Sequence, residues 1–371
     1  MPSSVPQVTS GRFDSDQPLH PKARELLLAA FDAGWGDPAR HSAEAARARG
    51  LLAGAKESMG ARLGVRPDEI FFVGESDLAP TLAIEGALAS RGGTLLISAV
   101  ERSEILAVAA HRESRTLPVD SYARVNLESL EKKLTEGAGL VSIQRANGEV
   151  GTIQPLEEAI EICTTYEVPI HVDLGVGAGR LPLPTGWSYA SADARTWCGP
   201  AGVGVFAVRT GARWQYPWPT TRERHEIGTY SLPLALAAAA ALEAWAEEEK
   251  REENRIRLLV ERIRMTASQV EDVEVVGDPL NRVSNIVTFS ALYCDGEALV
   301  EEFARAGFAV GSGSACTSDQ LKPSHVLAAM GALTHGNVRV WLPHFVSDTE
   351  IDQFCKVIPV AIANVRNRIS R

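Results

Sequence analysis

Short runs of β-branched and apolar residues alternate along this chain with longer stretches of helical periodicity, and that alternation restricts the fold more than any other feature. The runs at 70–73, 94–98, 140–144, 169–172 and 203–208 read as strands; the stretches at 78–90, 103–111, 126–135 and 156–166 read as helices. Strands that alternate with helices build an α/β domain, a mainly parallel sheet with helices on both faces. A pattern from 233 to about 270 follows, apolar first and then charge-laced through Glu247-Glu-Glu-Lys-Arg-Glu-Glu. Opposite charges at i, i+4 spacing make it a solvated connecting helix. Beyond it, 273–276, 284–289, 297–306, 308–310 and 338–342 make a smaller α+β lobe. The predicted division is a large α/β domain over 16–235 and a connecting helix with a small domain over 236–371. Residues 1–15 are expected to pack with the second unit.

With 371 residues the chain can bury the cores of two such lobes. A net charge of −10 argues against nucleic acid and anionic membranes as partners, because both need a concentrated basic surface. No apolar run reaches 18 residues, and the start Met-Pro-Ser-Ser-Val-Pro lacks the basic and apolar regions of a secretory signal. The expectation is a cytoplasmic protein. Five cysteines without a C-x-x-C pair indicate neither a disulfide framework nor a zinc site. His335 and His344 stand alone, so no metal is expected. Gly175-Val-Gly177-Ala-Gly179 follows a strand but has Arg180 where a dinucleotide fingerprint needs glycine.

Several segments, taken together, resemble the class V aminotransferase fold and within it the cysteine desulfurases. "GDPARHSAEAARA" (36–48) is similar to an early G-N-P-S-x-x-H helix entry, and "DEIFFVGESDLAPTLAIEGAL" (68–88) to a strand, phosphate loop and helix. "SIQRANGEVGTIQPLEEAIEIC" resembles an N-N-E-x-G-T-I-Q-P segment, "IHVDLGVGAGRLPL" an H-x-D-A-A-Q-x-x-G-x-x-P segment, and "GSGSACTSDQLKPSHVLAAMG" the family's cysteine-bearing loop. The likeness runs over roughly residues 15–365. It implies a fold-type I PLP-transferase-like architecture and a homodimer.

The resemblance also sets expectations for individual residues. In the family S-x-H-K-x-x-G-P-x-G carries the lysine that holds pyridoxal phosphate (PLP) as an imine; counted back from Gly199-Pro200, that position is Thr196 and the histidine's is Arg195. A threonine hydroxyl cannot form an imine. Asp77 stands for the phosphate-binding threonine. Its carboxylate can cap the helix that a phosphate would otherwise satisfy. A phosphate about 5 Å from Asp77 or Glu75 would meet roughly several kcal/mol of repulsion at an effective dielectric of ~20. Arg102 replaces the ring-stacking histidine, Gly148 or Asn147 the asparagine at the ring hydroxyl, and Val176 a glutamine, while Asp173 retains the pyridine-pairing aspartate or serves as a structural group. Thr229, in Gly228-Thr229, matches a threonine that reaches a phosphate across the dimer. The expectation from these positions is no cofactor.

What the resemblance retains is the sulfur side of the site. Cys316, flanked by glycine and serine, matches the cysteine that carries sulfur as a persulfide, unless the loop is a relic. Arg339 matches the arginine that grips a substrate carboxylate, or else makes an ion pair within the small lobe. Trp197, Trp214, Trp218 and Trp341 border the cofactor-type cavity and are candidates to fill it, or to serve core and interface. Three readings follow: a degenerate desulfurase relative that relays sulfur through Cys316 to or from a partner protein; a non-catalytic scaffold or regulatory subunit; and a PLP enzyme holding its cofactor non-covalently.

Overall fold

The computed structural model describes residues 11–15, 17–34, 36–219, 231–313 and 323–369. In chain order, β1 (Arg12–Phe13), α1 (Pro21–Ala33) and α2 (Ala43–Leu63) lead into β2 (Ile70–Val73), α3 (Leu78–Arg91), β3 (Leu95–Ser98), α4 (Ser103–Ala110) and β4 (Ser114–Leu117). Next come α5 (Leu127–Thr135), β5 (Leu140–Gln144), α6 (Leu156–Thr165), β6 (Ile170–Asp173), β7 (Tyr189–Asp193) and β8 (Gly204–Val208). The long α7 (Leu232–Ser268) precedes β9 (Val273–Val276), β10 (Ile286–Ala291), α8 (Gly296–Arg305), β11 (Ala309–Val310), α9 (His325–Met330), β12 (Asn337–Trp341) and α10 (Asp348–Ile369).

Seven strands form one sheet in the order β2-β8-β7-β6-β5-β3-β4. β4, β3, β5, β6 and β7 run parallel; β8 is antiparallel to both its neighbours. β5, β6, β7 and β8 are buried along their whole length, as strands covered on both faces must be. The fold class is therefore the expected α/β one. Two strands of this sheet had no sequence signal. β4 is an edge strand reading Ser-Arg-Thr-Leu, and β7 is central but built from Tyr-Ala-Ser-Ala-Asp, small residues that fit between close-packed neighbours.

Helix ends follow local chemistry. Ser42, Asn126, Asp295 and Ser324 each accept a backbone N–H in the first turn of α2, α5, α8 and α9. The first half of α7 is an alanine-rich face that packs on α1, α2 and the core over the large sheet. Its second half buries Ile256, Leu259, Val260 and Ile263 in another core with Phe289, Phe303 and Phe354. β10 lies between β9 and β12 in the antiparallel sheet of that core. Strand β1 packs on that core: it pairs with β11, and Phe13 meets Phe354 edge-on at 5.1 Å between ring centroids.

Candidate functional site

The parallel strands β5 and β6 end side by side, with Gln144 opposite Asp173. Loops at the carboxyl ends of such strands form the usual ligand crevice of an α/β sheet. Asp173 is buried there. Its Oδ1 accepts a hydrogen bond from Ser191 Oγ at 3.1 Å, and the Gly175 N–H also favours its ionised form. Ser191 in turn lies 3.0 Å from His171 Nε2, and His171 Nδ1 lies 2.9 Å from Ser142 Oγ. Since Ser191 donates to Asp173, it accepts from Nε2–H, and Nδ1 accepts from Ser142. Burial, reinforced by Arg102, lowers the His171 pKa to about 3 and keeps the ring neutral.

Arg102, at the start of α4, reaches across this crevice. Its Nε stands 2.9 Å from Asp173 Oδ2 as an ion contact rather than a well-directed hydrogen bond, and 3.9 Å from Glu104. Burial pushes the Asp173 carboxyl above its ordinary range, while the Arg102 charge pulls it back. Gly175 makes the approach possible, because a Cβ there would stand 3.1 Å from Asp173 Oδ2 and 3.6 Å from Arg102 Nε.

Thr196 sits in the short turn of helix Ala194–Trp197 and donates its hydroxyl to the Asp193 carbonyl at 2.8 Å. Beside it, Arg195 clasps the Asp193 carboxylate through Nε and Nη2 at 2.9 and 2.6 Å, and lies 3.6 Å from Asp77. The expected self-capping by Asp77 is not found: its side chain accepts no bond from α3. The half-exposed carboxylate makes its ion contact with the Arg195 guanidinium instead. Burial, then Glu104, pushes the Asp77 carboxyl up against the pull of Arg195.

Asn147 is engaged by its own turn and by the loop after β3: Oδ1 accepts from the Glu149 and Val150 N–H groups at 2.8 Å each, and Nδ2 donates to the Val100 carbonyl at 3.1 Å. Val176 packs with Ala146, Val283, Ile286 and Trp341 in a small apolar cluster. Of the four tryptophans, Trp341 alone joins that cluster. Trp197 is buried against α7 with Nε1 on the Ala238 carbonyl, Trp214 packs on Gly86 of α3, and Trp218 is exposed.

Arg339 on β12 exchanges two backbone hydrogen bonds with Gly311, at 2.9 and 2.8 Å, and its Nη2 donates to Ser15 Oγ at 3.2 Å. A Cβ on Gly311 would stand 3.1 Å from the guanidinium, which therefore lies along the backbone leading toward Cys316. Cys316 and Thr229 themselves fall outside the described residues.

Two buried carboxylates were given no role by the sequence, although Glu149 stands at the glutamate of the N-N-E-x-G-like segment. Glu149 is buried close to Arg339, and burial raises its carboxyl against the pull of Ser324, Arg339 and His325. Glu249 on α7 pairs with Arg180 of the large-sheet side, with Ser284 at 3.0 Å and with His344 Nε2 at 2.5 Å. Burial opposes the Glu249 charge, but Arg180 and His344 outweigh it and hold the carboxyl down at about 2. His344 and Arg180 both lie over the Trp245 ring, at 3.9 and 4.5 Å. Asn285, with its amide oxygen turned inward, accepts from Trp341 Nε1 at 2.6 Å and Arg180 Nη2 at 3.2 Å. His344 is thus not the isolated residue its sequence context suggested.

A mixed, mostly parallel sheet with this crevice is the architecture of PLP-dependent fold-type I proteins. The Aminotransferase class-V family model matches residues 38–354, and the chain belongs to that family. It is 31% identical over 369 residues to a cysteine desulfurase of Cereibacter sphaeroides, covering 94% of each chain. It is 30% identical over 368 residues to the cysteine desulfurase NifS of Azotobacter vinelandii, covering 92% of this chain and 90% of that one. A solved NifS-like protein superposes with a TM-score of 0.87 at 25% identity, over 96% of this chain and 100% of the other. The chain is cysteine-desulfurase-like.

This membership corrects the expectation of no cofactor, because relatives matched along almost the whole chain are cysteine desulfurases and imply pyridoxal phosphate. The expectation leaned on substituted contact positions, whereas the crevice and its buried aspartate are kept. The residues fit that group in part. Asp173, held by Ser191 and the Gly175 N–H, suits a pyridinium nitrogen. Thr196 does not fit the covalent link, its hydroxyl being unable to form an imine, and Arg102 competes for Asp173.

Proposed function

We propose that this chain is a sulfur-transfer protein of the cysteine-desulfurase type in which Cys316 takes up sulfur as a persulfide and Arg339 anchors the anionic end of the donor. The chemistry needs no other group of the protein to change oxidation state. The Cys316 thiolate attacks the terminal sulfur of a hydropersulfide, RS–SH; the S–S bond breaks, RS⁻ leaves, and Cys316–S–SH remains. The sulfur then passes to an acceptor thiolate by the same exchange. The observation that supports the reading is the lie of the Arg339 guanidinium, a group suited to a carboxylate, along Gly311, which stands five residues before Cys316 in the sequence. The reading includes a homodimer, a sulfur donor or acceptor protein as partner, and a division of the chain near residue 235.

Incubation with a hydropersulfide followed by peptide mapping tests it. Added sulfur on the Cys316 peptide supports the assignment, and an unmodified Cys316 under conditions that modify a small-molecule thiol refutes it.

A further inference from the structure

The amino ends of β6 and β7 border a cavity of about 300 Å³, at the end of these strands away from Asp173. Its walls come from Arg91 at the end of α3, from Cys163 and Thr164 of α6 with the turn that follows, and from the loops that carry Gly186 and Arg213. That volume lies at the lower edge of the range for small-molecule sites. Gly186 shapes one wall. It has a φ of +99°, and a Cβ there would stand 2.4 Å from Ile160 Cγ2, so glycine lets the loop into β7 lie on α6.

Hydrogen bonds fix the arginines around this hollow. Arg91 Nη2 donates to the Glu167 carbonyl at 3.1 Å, in the turn between α6 and β6. The Arg213 carbonyl accepts from Tyr189 Oη and, at 2.9 Å, from Ser90 Oγ, which ties the backbone of this arginine to β7 and α3. Arg209 Nη1 donates at 3.3 Å to the carbonyl of Trp187, between the lining residues Gly186 and Ser188. Among the described residues none of these three arginines forms an ion pair with a carboxylate, although Glu167 lines the same cavity. In a chain with 47 acidic against 37 basic residues, that grouping makes a local site of positive charge. Burial pushes the Cys163 thiol and the Tyr189 phenol up to about 12 each, so neither adds a negative charge at neutral pH. Arg91 and Arg213 are exposed at the mouth, whereas Cys163 and Ile170 are buried behind them beside Pro169.

We propose that this cavity is a second binding site, for a small carboxylate with a short apolar body. The Arg91 and Arg213 guanidiniums hold the carboxylate at the mouth, and the body lies against Pro169, Ile170 and Cys163. A guanidinium offers paired N–H donors in the geometry a carboxylate accepts, and the ligand supplies the counter-charge that the surrounding residues do not. The apolar inner wall favours an organic acid over a bare anion, which would leave that surface in contact with water. The site requires neither Cys316 nor Arg339 and stands apart from the sulfur-transfer reading.

Calorimetric titration of the full chain with benzoate, benzamide and inorganic phosphate, at neutral pH and matched ionic strength, tests the inference. Benzoate is expected to bind with a Kd of about 1 mM, as suits a ligand of this size. Benzamide has the shape without the charge, and phosphate the charge without the apolar body; each should bind at least about 10-fold more weakly. Arg91→Gln and Arg213→Gln should each weaken benzoate by about 10-fold or more, while Arg24→Gln, an exposed change on α1, leaves it unaltered. Arg213 is tied into the fold through its backbone carbonyl, so Arg213→Gln keeps the native melting temperature and decides the matter alone if Arg91→Gln does not fold. Absence of benzoate binding to the native chain would overturn the inference. Binding undiminished in Arg213→Gln would place the ligand elsewhere and overturn it as well, and phosphate bound as tightly as benzoate would refute the organic-acid class.

Discussion

Arg102 Nε lies 2.9 Å from Asp173 Oδ2, and the opposite oxygen of the same carboxylate accepts the Ser191 hydroxyl. The aspartate that ends β6 is therefore engaged on both sides by residues of the chain. Its charge is balanced by a guanidinium whose side chain is 20% exposed, against 2% for Asp173.

Removing that guanidinium leaves the aspartate buried without a counter-charge. Arg102→Met is expected to lose about 3 kcal/mol at neutral pH. Burial already raises the Asp173 carboxyl, so the fold loses stability as pH rises from the ordinary carboxyl value to the folded one, and removing Arg102 extends that loss to higher pH. The deficit of the variant should accordingly be larger at pH 8 than at pH 5. Urea unfolding at both values measures it, and an equal deficit would contradict the ion-pair account.

His171 predicts acid sensitivity of the fold. Its pKa falls from 6.5 to about 3, so the native state favours the neutral ring. The associated stability is present above pH 6.5 and is lost progressively as pH falls from there toward 3, about 5 kcal/mol across the window as an upper bound. Nitrogen chemical shifts of the ring should report the neutral Nε2–H tautomer at pH 5. A protonated ring at that pH would contradict the assignment.

Glu249 joins α7 to Arg180 and to His344. Glu249→Leu leaves a buried arginine unpaired and should lower stability by about 3 to 5 kcal/mol. Because its folded carboxyl is held at about 2, below the ordinary 4.5, the contribution is full above 4.5 and disappears as pH falls through 2. Native and variant chains should differ by thermal melting at pH 7 and converge toward pH 2.

Arg339 should discriminate among sulfur donors. Arg339→Ala is expected to weaken a carboxylate-bearing hydropersulfide by about 10- to 100-fold, the worth of a charge-assisted hydrogen-bonded pair, and to leave inorganic polysulfide nearly unaffected. Loading rates against donor concentration separate the two. Equal loss for both donors would place Arg339 in a structural role.

Much of this architecture is legible in the chain because apolar runs such as Ile70–Val73 and Leu140–Gln144 announce their burial directly. β7 is silent for the opposite reason: alanine and serine fill a crowded central position without a β-branched signature. The motif positions bring Asp173 and Arg102 together, but their chemistry depends on partners. Asp77 illustrates this, since the capping that its sequence context favours loses to Arg195, 118 residues away. His171 and Glu149 stand in the matched motif segments, but their environments are not legible there, because the serines and the glycine that define them arrive from other strands and loops. His344 looks solitary for the same reason, its partner Glu249 being 95 residues upstream.

Sulfur uptake counted per chain in the native protein and in Cys316→Ser, after exposure to a hydropersulfide and removal of excess donor, tests the central claim most directly. Cys163, Cys198 and Cys294 are buried and Cys355 is partly covered, so a carrier role for Cys316 predicts stoichiometric uptake in the native chain and almost none in the variant. Equal uptake by both chains, or a label confined to Cys355, would contradict it.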